Sequence, residues 1–267
     1  MPQLATPSTF VVARNRAAVM EELRRLLPGG IAESRKTLPF GCGAIDSCLP
    51  IGGLPCGALH EIVPAPYGIP SAFGFIAAIL GRTTQQNASQ RQPIVLVLPT
   101  YGLGPYGRLY GHGLGALGLD PACVILVETA HRKDTLWAIE EAVRSGAPAA
   151  IAGLIDKLDL KTSQRLHLAA TDAGLPLLLI RPAHNLESSA AATRWRVGTA
   201  EAARDRFGLI ARPRWRLRLE RVRNGRPGEW VVEYDHVAHR FSLAAALVYP
   251  ARAGRPGEEV DRKAHCA

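Results

Sequence analysis

The sequence predicts an α/β protein with a mostly parallel, twisted sheet flanked by helices and a C-terminal antiparallel β-hairpin. Aliphatic runs without charged residues recur along the middle of the chain and alternate with stretches of helical periodicity. Such runs are typical of parallel strands that are buried on both faces. With 267 residues and 47% hydrophobic composition, the chain is long enough to build one large core.

The predicted strands and helices follow one another as βα units. Strands are predicted at residues 58–63, 94–98, 123–127, 149–155 and 177–180. Helices are predicted at 72–80, 107–117 and 161–173, and another between the third and fourth strands, where Asp134 is the candidate N-cap. The domain boundaries follow from composition: an N-terminal tail and amphipathic helix within 1–36, a core over 37–248, and a disordered tail over 249–267.

The end of the predicted core has a different, period-two pattern. Three arginines (Arg214, Arg216, Arg218) alternate with three apolar residues (Trp215, Leu217, Leu219). After a turn sequence at 224–228, Trp230, Val232 and Tyr234 alternate with Glu229, Glu233 and Asp235. The pattern predicts a hairpin with one apolar face. Arginines stand opposite carboxylates, so cross-strand pairs are expected to neutralise part of the positive charge.

The positive charge is concentrated in one segment. The chain has a net charge of +9, and residues 194–226 hold eleven arginines against three acids. Such a segment is a candidate contact for nucleic acid or for an acidic partner. The candidate residues are Arg194, Trp195, Arg196, Arg214, Arg216, Arg218, Arg221 and Arg223. Two alternatives stay open: the tryptophans pack in the core beneath the hairpin, and the arginines form a solvated face.

The segment AIDSCLPIGGLPCGALHEIV at residues 44–63 resembles the lead-in to the phosphate loop of the RecA recombinase family. The matching residues are Gly52, Gly53, Leu54, Pro55, Gly57, Glu61 and Ile62. The resemblance implies that a RecA-like core follows. It also places the position of the phosphate loop in the segment PAPYGIPSA at 64–72.

That loop departs from the pattern that phosphate binding needs. The pattern GxxxxGK[ST] supplies inward-facing amides, a lysine for the terminal phosphates and a hydroxyl for Mg²⁺. The family frame puts Pro64 at the first glycine, Ile69 at the second, Pro70 at the lysine and Ser71 at the hydroxyl, with Gly68 inside the loop. No lysine lies between residues 36 and 133, and each proline removes an amide donor. No nucleotide cofactor is therefore predicted.

Two further positions predict the loss of catalysis. The RecA family places a carboxylate just after the strand that corresponds to 94–98, but no acid occurs there before Asp120. The family also places an aspartate at the end of the strand near 149–154, whereas Asp156 lies two residues beyond it. The segments that correspond to the DNA-binding loops of RecA are short. The sequence thus predicts a protein that is not an enzyme.

Two later motifs resemble the ImuA family. They are SSAAATRWRV at 188–197 and PRWRLRLERVRNGRPGEWVVEYDHVAHRFSL at 213–243, and the resemblance covers about residues 37–247. It implies an accessory role in bacterial damage-induced translesion synthesis and mutagenesis. The implied partners are ImuB (a catalytically degenerate relative of Y-family polymerases), RecA and an error-prone DnaE-type polymerase. No catalytic residue carries over.

Other functions stay open from the sequence. A cell-division inhibitor similar to SulA would have a reduced RecA-like core, and the longer βα series here favours the ImuA resemblance. The arginines are also compatible with single-stranded DNA binding, and an active NTPase is the third alternative. The cysteines form no CxxC pair, and His60 has no partner evident in the sequence, so both are expected to be structural. No apolar run is about 18 residues long, so a cytoplasmic protein without a membrane span is expected.

Overall fold

The structure is a computed structural model that describes residues 36–86, 92–100, 107–185 and 187–244. The predicted helix at 14–27 and the predicted tail over 249–267 lie outside these ranges. Within them, the predicted α/β class is confirmed: a mostly parallel sheet is flanked by helices and continued by a C-terminal antiparallel region.

The described elements have the following bounds. The strands are β1 (Thr37–Leu38), β2 (Leu54–Pro55), β3 (Ala58–Pro64), β4 (Ile94–Pro99), β5 (Val124–Thr129), β6 (Ala150–Leu154), β7 (Pro176–Ile180), β8 (Thr193–Thr199), β9 (Ala203–Arg204), β10 (Ile210–Arg212), β11 (Arg214–Val222), β12 (Gly228–Asp235) and β13 (Arg240–Leu243). The helices are α1 (Gly43–Asp46), α2 (Ile69–Gln86), α3 (Gly111–Ala116), α4 (Arg132–Ser145) and α5 (Leu160–Ala173).

The main sheet has nine strands in the order β13-β12-β11-β8-β3-β7-β6-β4-β5. The six strands from β8 to β5 are parallel to one another. The last three strands, β11 to β13, are antiparallel and extend the sheet beyond β8. We call them the antiparallel extension. The predicted hairpin is β11–β12, and β13 is a third strand that the period-two pattern did not indicate.

Alternate residues of the strands contribute to two cores, one on each side of the sheet. On one side, α2 packs on β3, β7 and β8, and its apolar residues join those of the antiparallel extension. On the other side, α4 and α5 cover the parallel strands through Ile139, Val143 and Leu166. The antiparallel extension therefore has one face on a core and one face without a described helix over it.

The bounds of several elements differ from the prediction. The predicted helix over 107–117 is shorter and covers Gly111–Ala116, and α2 continues to Gln86, beyond the predicted end at 80. Helix α4 begins at Arg132 with His131 at the N-cap, so Asp134 is not the cap. Asp134 lies in the first turn instead, where a negative charge favours the helix dipole. Helix α2 begins at Ile69, three residues before the predicted start. Proline is compatible with a first helical turn, so Pro70 does not delay the helix.

Candidate functional site: a closed turn and an arginine-rich sheet face

The segment that the RecA resemblance places at the phosphate loop is a closed turn between β3 and α2. The Gly68 amide donates to the Ala65 carbonyl at 2.8 Å, with Pro66 second and Tyr67 third in the turn. Tyr67 has a φ of 57° and is 94% exposed. Proline followed by a residue with positive φ matches a type II β-turn. A Cβ at Gly68 would lie 2.8 Å from the Ala65 oxygen, so the turn requires glycine there.

Most of the amides that could hold an anion in this turn are missing or already bonded. The Ala65 amide donates to the Val197 carbonyl of β8 at 2.8 Å, and the Gly68 amide is used inside the turn. Pro64, Pro66 and Pro70 have no amide proton. A helix N-terminus binds phosphate through free amides that point at the ligand. The turn therefore lacks the cradle that an open glycine-rich loop provides.

Ser71, the residue in the frame position of the Mg²⁺ hydroxyl, lies in the first turn of α2. Its Oγ atom is buried and has no hydrogen-bond partner among the described residues. The Trp215 indole of β11 donates its Nε1 proton to the Ser71 carbonyl at 3.0 Å. The antiparallel extension thus packs against the start of the helix on which a phosphate would rest.

Asp156 lies beyond the end of β6, as the sequence predicted. It is partly exposed, and its Oδ1 atom lies 3.2 Å from His184 Nε2. The neighbouring Ile155 amide donates to the Ile180 carbonyl at 3.0 Å, which extends the contact with β7 by one residue. Asp156 is thus involved in a surface pair with a histidine.

Glu61 is a buried carboxylate at the centre of β3. It accepts hydrogen bonds from Arg181, which is also fully buried, and from Arg194 Nε at 2.8 Å. Arg181 also donates to the Leu158 carbonyl at 3.1 Å. A buried charge needs such partners, since an unpaired one is strongly destabilising. The motif residue Glu61 thus joins β3 to β7 and β8.

The candidate arginines lie on or beside the outer face of β8 and the antiparallel extension, and they fall into two groups. The first group is paired inside the fold. Arg194 binds Glu61, and Arg214 binds Glu233 at 3.0 Å with a side chain only 7% exposed. Arg196 binds Glu220 at 2.6 Å and is half-buried. The predicted cross-strand neutralisation within the hairpin is therefore observed at Arg214, whereas the pairs of Arg194 and Arg196 involve β8 and were not predicted. Arg194 and Arg214 are largely withdrawn from the surface.

The second group stays exposed. Arg216 is 63% exposed, and 3.9 Å separate it from Glu229. Arg218 is exposed and makes no ion pair with another described residue. Arg221 donates to the Ser189 carbonyl, and Arg223 lies 3.3 Å from His167 Nε2; both are exposed. Four guanidinium groups are therefore presented on or beside one sheet face.

Comparison with curated proteins assigns the family. The chain is 31% identical over 248 residues to the protein named Protein ImuA in each of two strains of Caulobacter vibrioides. The match covers 86% of this chain and 99% of each relative.

The chain belongs to the ImuA family. A scan against protein-family models found no match.

On the inner side of the sheet in this ImuA-family protein, aromatic residues of β8 and of the antiparallel extension pack in one core. Trp195 is fully buried and lies 5.3 Å from Phe40 and 6.1 Å from Phe75 between ring centroids. Trp215 is buried as well, 6.4 Å from Phe75. Trp195 is therefore not the surface contact that was a candidate from the sequence: it packs in the core, as the open alternative stated. Only one face of β8 is exposed, and Trp195 points to the other.

His60 belongs to a buried hydrogen-bond chain on the same side of the sheet. Its Nε2 atom donates to the Pro55 carbonyl at 2.9 Å, since a carbonyl can only accept. Its Nδ1 atom then accepts from the Thr193 hydroxyl at 2.8 Å, and that hydroxyl accepts from Trp195 Nε1 at 3.0 Å. Burial lowers the pKa of His60 to about 4, so the ring is neutral near pH 7. The structural role expected for His60 agrees with this geometry.

A small hairpin between β8 and β11 was not predicted from the sequence. Strands β9 and β10 pair antiparallel. Phe207 and Leu209, together with Ile210 at the start of β10, are exposed at the tip of this hairpin. The available signal was the sequence FGLI at 207–210 inside an arginine-rich segment. Apolar and polar residues do not alternate in this segment, so the period-two pattern does not predict a hairpin there.

The described ranges contain neither a metal-binding cluster nor a helix suited to a membrane. Among these residues no group of three or more His, Cys, Asp or Glu side chains is arranged to hold a metal ion. Within the same part of the chain, no helix combines the length and apolar character that crossing a membrane requires.

Proposed function

We propose that this protein is a non-catalytic accessory protein of damage-induced translesion DNA synthesis and mutagenesis, and that it acts by binding ImuB. RecA and an error-prone DnaE-type polymerase are proposed as further partners, and the cytoplasm as the location. The observation that carries this proposal is the match to the ImuA relatives over 99% of their length. Because the match also covers 86% of this chain, it concerns far more than a single motif.

The absence of catalysis is proposed from the turn between β3 and α2. The lysine position is Pro70, the amides of Ala65 and Gly68 are bonded within the protein, and the Ser71 hydroxyl is buried. A triphosphate at this place would have neither an ammonium group nor a ring of free amides. Binding of protein partners would then replace nucleotide binding as the way in which the fold is used.

The outer face of the antiparallel extension is proposed as the surface that ImuB approaches. Arg216, Arg218 and Arg221 are exposed there, and their charges are only partly balanced by Glu229. Exposed charges of one sign raise the association rate with an oppositely charged partner more than they raise affinity. Arginine is also enriched among residues that dominate interfaces.

The experiment is a titration of ImuB with the full chain and two variants. The first variant carries Arg216→Glu, Arg218→Glu and Arg221→Glu. The control variant carries Arg108→Glu, Arg132→Glu and Arg144→Glu, which reverse three exposed arginines away from the antiparallel extension. We expect the first variant to associate at least about tenfold more slowly at low salt and the control to match wild type.

The alternatives are measured in the same series. Failure of the wild-type chain to bind ImuB would refute the proposed function. Capture of FtsZ instead would support the SulA-like inhibitor. Tight binding of a fluorescent oligonucleotide, with an affinity that falls steeply with salt, would favour the DNA-binding protein.

A further inference from the structure

The hairpin β9–β10 has a tip whose backbone is fixed by one carboxylate. Asp205 Oδ1 accepts from the Phe207 amide at 2.8 Å and from the Leu209 amide at 2.9 Å. The Asp205 amide donates to the Leu209 carbonyl, and the Gly208 amide donates to the Asp205 carbonyl. Gly208 has a φ of 78°, which favours glycine at this position. The conformation of the tip is therefore fixed by four hydrogen bonds that involve Asp205.

The apolar side chains of this ordered tip point outward. Phe207, Leu209 and Ile210 are 71%, 65% and 67% exposed. They lie within residues 207–210, on one short hairpin that forms a two-stranded sheet of its own. A single exposed apolar residue is ordinary, but a contiguous group of large ones marks an interaction site. The exposed apolar side chains do not stabilise the tip, because its conformation is held by hydrogen bonds between Asp205 and the backbone.

The charge around the tip is positive. Arg206 lies over the Phe207 ring, with its guanidinium carbon 4.7 Å from the centroid. Arg204 donates to the Gly208 carbonyl at 2.6 Å, so its charge is also held at the tip. The Asp205 carboxylate accepts from backbone amides and cannot offset both arginines. The complementary surface is one with an apolar centre and negative groups at its border.

The hairpin is also joined to the outer face of the antiparallel extension. Arg212 at the end of β10 pairs with Glu233 at 2.9 Å and with Asp235 at 3.2 Å, both on β12. The hairpin is thus attached to the outer face through Glu233, which also pairs with Arg214 of β11. In protein interfaces, charges at the border direct the encounter, whereas buried apolar and aromatic anchors supply most of the affinity.

We propose that the β9–β10 tip inserts into an apolar, carboxylate-bordered pocket of a protein partner and anchors the contact that the outer-face arginines direct. This inference rests on the proposed function, because it assigns the anchoring element of the same partner contact. A nucleic acid fits less well. Bases stack on aromatic rings and on guanidinium planes, but Leu209 and Ile210 provide neither.

The test is equilibrium binding of ImuB to the full chain carrying Phe207→Ser, Leu209→Ser and Ile210→Ser together. The matched control carries Trp137→Ser and Leu168→Ser, two comparably exposed apolar residues on α4 and α5. We expect the Kd of the tip variant to rise at least about thirtyfold, the loss that interface anchors give. The control and wild type should bind alike. The melting temperature of the tip variant should stay at the wild-type value, since the side chains removed are exposed.

A second variant separates an ordered anchor from general apolar attraction. Asp205→Ala keeps all three apolar side chains but removes the acceptor that fixes the tip. We expect it to weaken ImuB binding about tenfold, because the partner would have to order the hairpin on binding. A purely apolar attraction would leave its affinity unchanged.

The outcomes are distinguishable. If wild type and the tip variant bind ImuB equally, the inference is overturned and the proposed function survives. If wild type does not bind ImuB, both are overturned. If the tip variant loses affinity for single-stranded DNA, or loses self-association in sedimentation, while its affinity for ImuB is intact, the tip serves another occupant and the inference is wrong.

Discussion

The inner and outer faces of β8 and β11 are built from alternate residues of the same short segments, yet they differ in almost every physical respect. The inner residues, such as Trp195 and Leu217, are fully buried against α2. The outer residues are mostly arginines. Arg214, which pairs with Glu233, is nearly buried, whereas the side chain of Arg216 is mostly exposed. A period-two sequence thus lets one pair of strands complete a core on one side and present charge on the other.

This difference predicts where a substitution affects stability and where it affects binding. Inner-face residues should change the free energy of unfolding. Exposed outer-face residues should change partner association and leave stability alone. The following predictions test that division, from the largest expected effect to the smallest.

Trp195→Ala should have the largest effect. The side chain is fully buried and packs against Phe40 and Phe75. Removing a buried tryptophan is expected to lower the free energy of unfolding by about 3–5 kcal/mol, measured by urea denaturation. Trp137→Ala, at an exposed tryptophan of α4, is the control and should change it by less than about 0.5 kcal/mol. Equal losses in the two variants would contradict the burial of Trp195.

Glu61→Gln should be almost as severe. It leaves the buried Arg181 without its carboxylate, and an uncompensated buried charge is expected to destabilise by about 3 kcal/mol or more. Glu229→Gln is the matched control at the exposed pair with Arg216, where the expected change is within about 0.5 kcal/mol. A mild effect of Glu61→Gln would show that the network around Arg181 is not as closed as described.

The buried histidine predicts a pH dependence on the inner side. In the unfolded chain His60 takes up a proton near pH 6.5, but in the folded protein its pKa is about 4. Between these values the unfolded state holds more protons, so stability should rise with pH by about 1.4 kcal/mol per unit and then level off. His60→Gln should lose this contribution, seen as the difference between the two stability–pH curves. Parallel curves from pH 4 to 6.5 would contradict a neutral, buried His60.

Arg218→Ala should have the smallest effect on stability. The side chain is exposed and makes no ion pair with another described residue, so the free energy of unfolding should change by less than about 0.5 kcal/mol. Arg214→Ala is the comparison on the same strand. It leaves Glu233 partly buried with one partner fewer, and a loss of about 1–2 kcal/mol is expected. An equal loss of unfolding free energy in both variants would contradict the distinction between the paired Arg214 and the exposed Arg218.

Much of the fold could be predicted from composition, since aliphatic runs such as 94–98 and 177–180 fall within strands β4 and β7. The sequence did not predict which face of β8 is turned towards the core. Arg194-Trp195-Arg196 alternates, but nothing local says which side carries a helix. The ion-pair partners of the arginines could not be predicted either, because Glu61 lies 133 residues before Arg194 in the sequence. The closed turn was partly predictable, because the prolines indicated that amide donors are missing. The hydrogen bond from the Ala65 amide to Val197 was not predictable, because it depends on how β8 pairs in the sheet.

The measurement that tests the central claim most directly is the melting temperature of the full chain with and without Mg²⁺-ATP at millimolar concentration. The closed turn between β3 and α2 predicts no change. A nucleotide present at 100 times its Kd would add about 2.7 kcal/mol, seen as a rise in melting temperature of roughly 5 °C or more that increases with nucleotide concentration. Such a rise, abolished by Gly68→Val at the turn, would contradict the account of a protein that works through its partners alone.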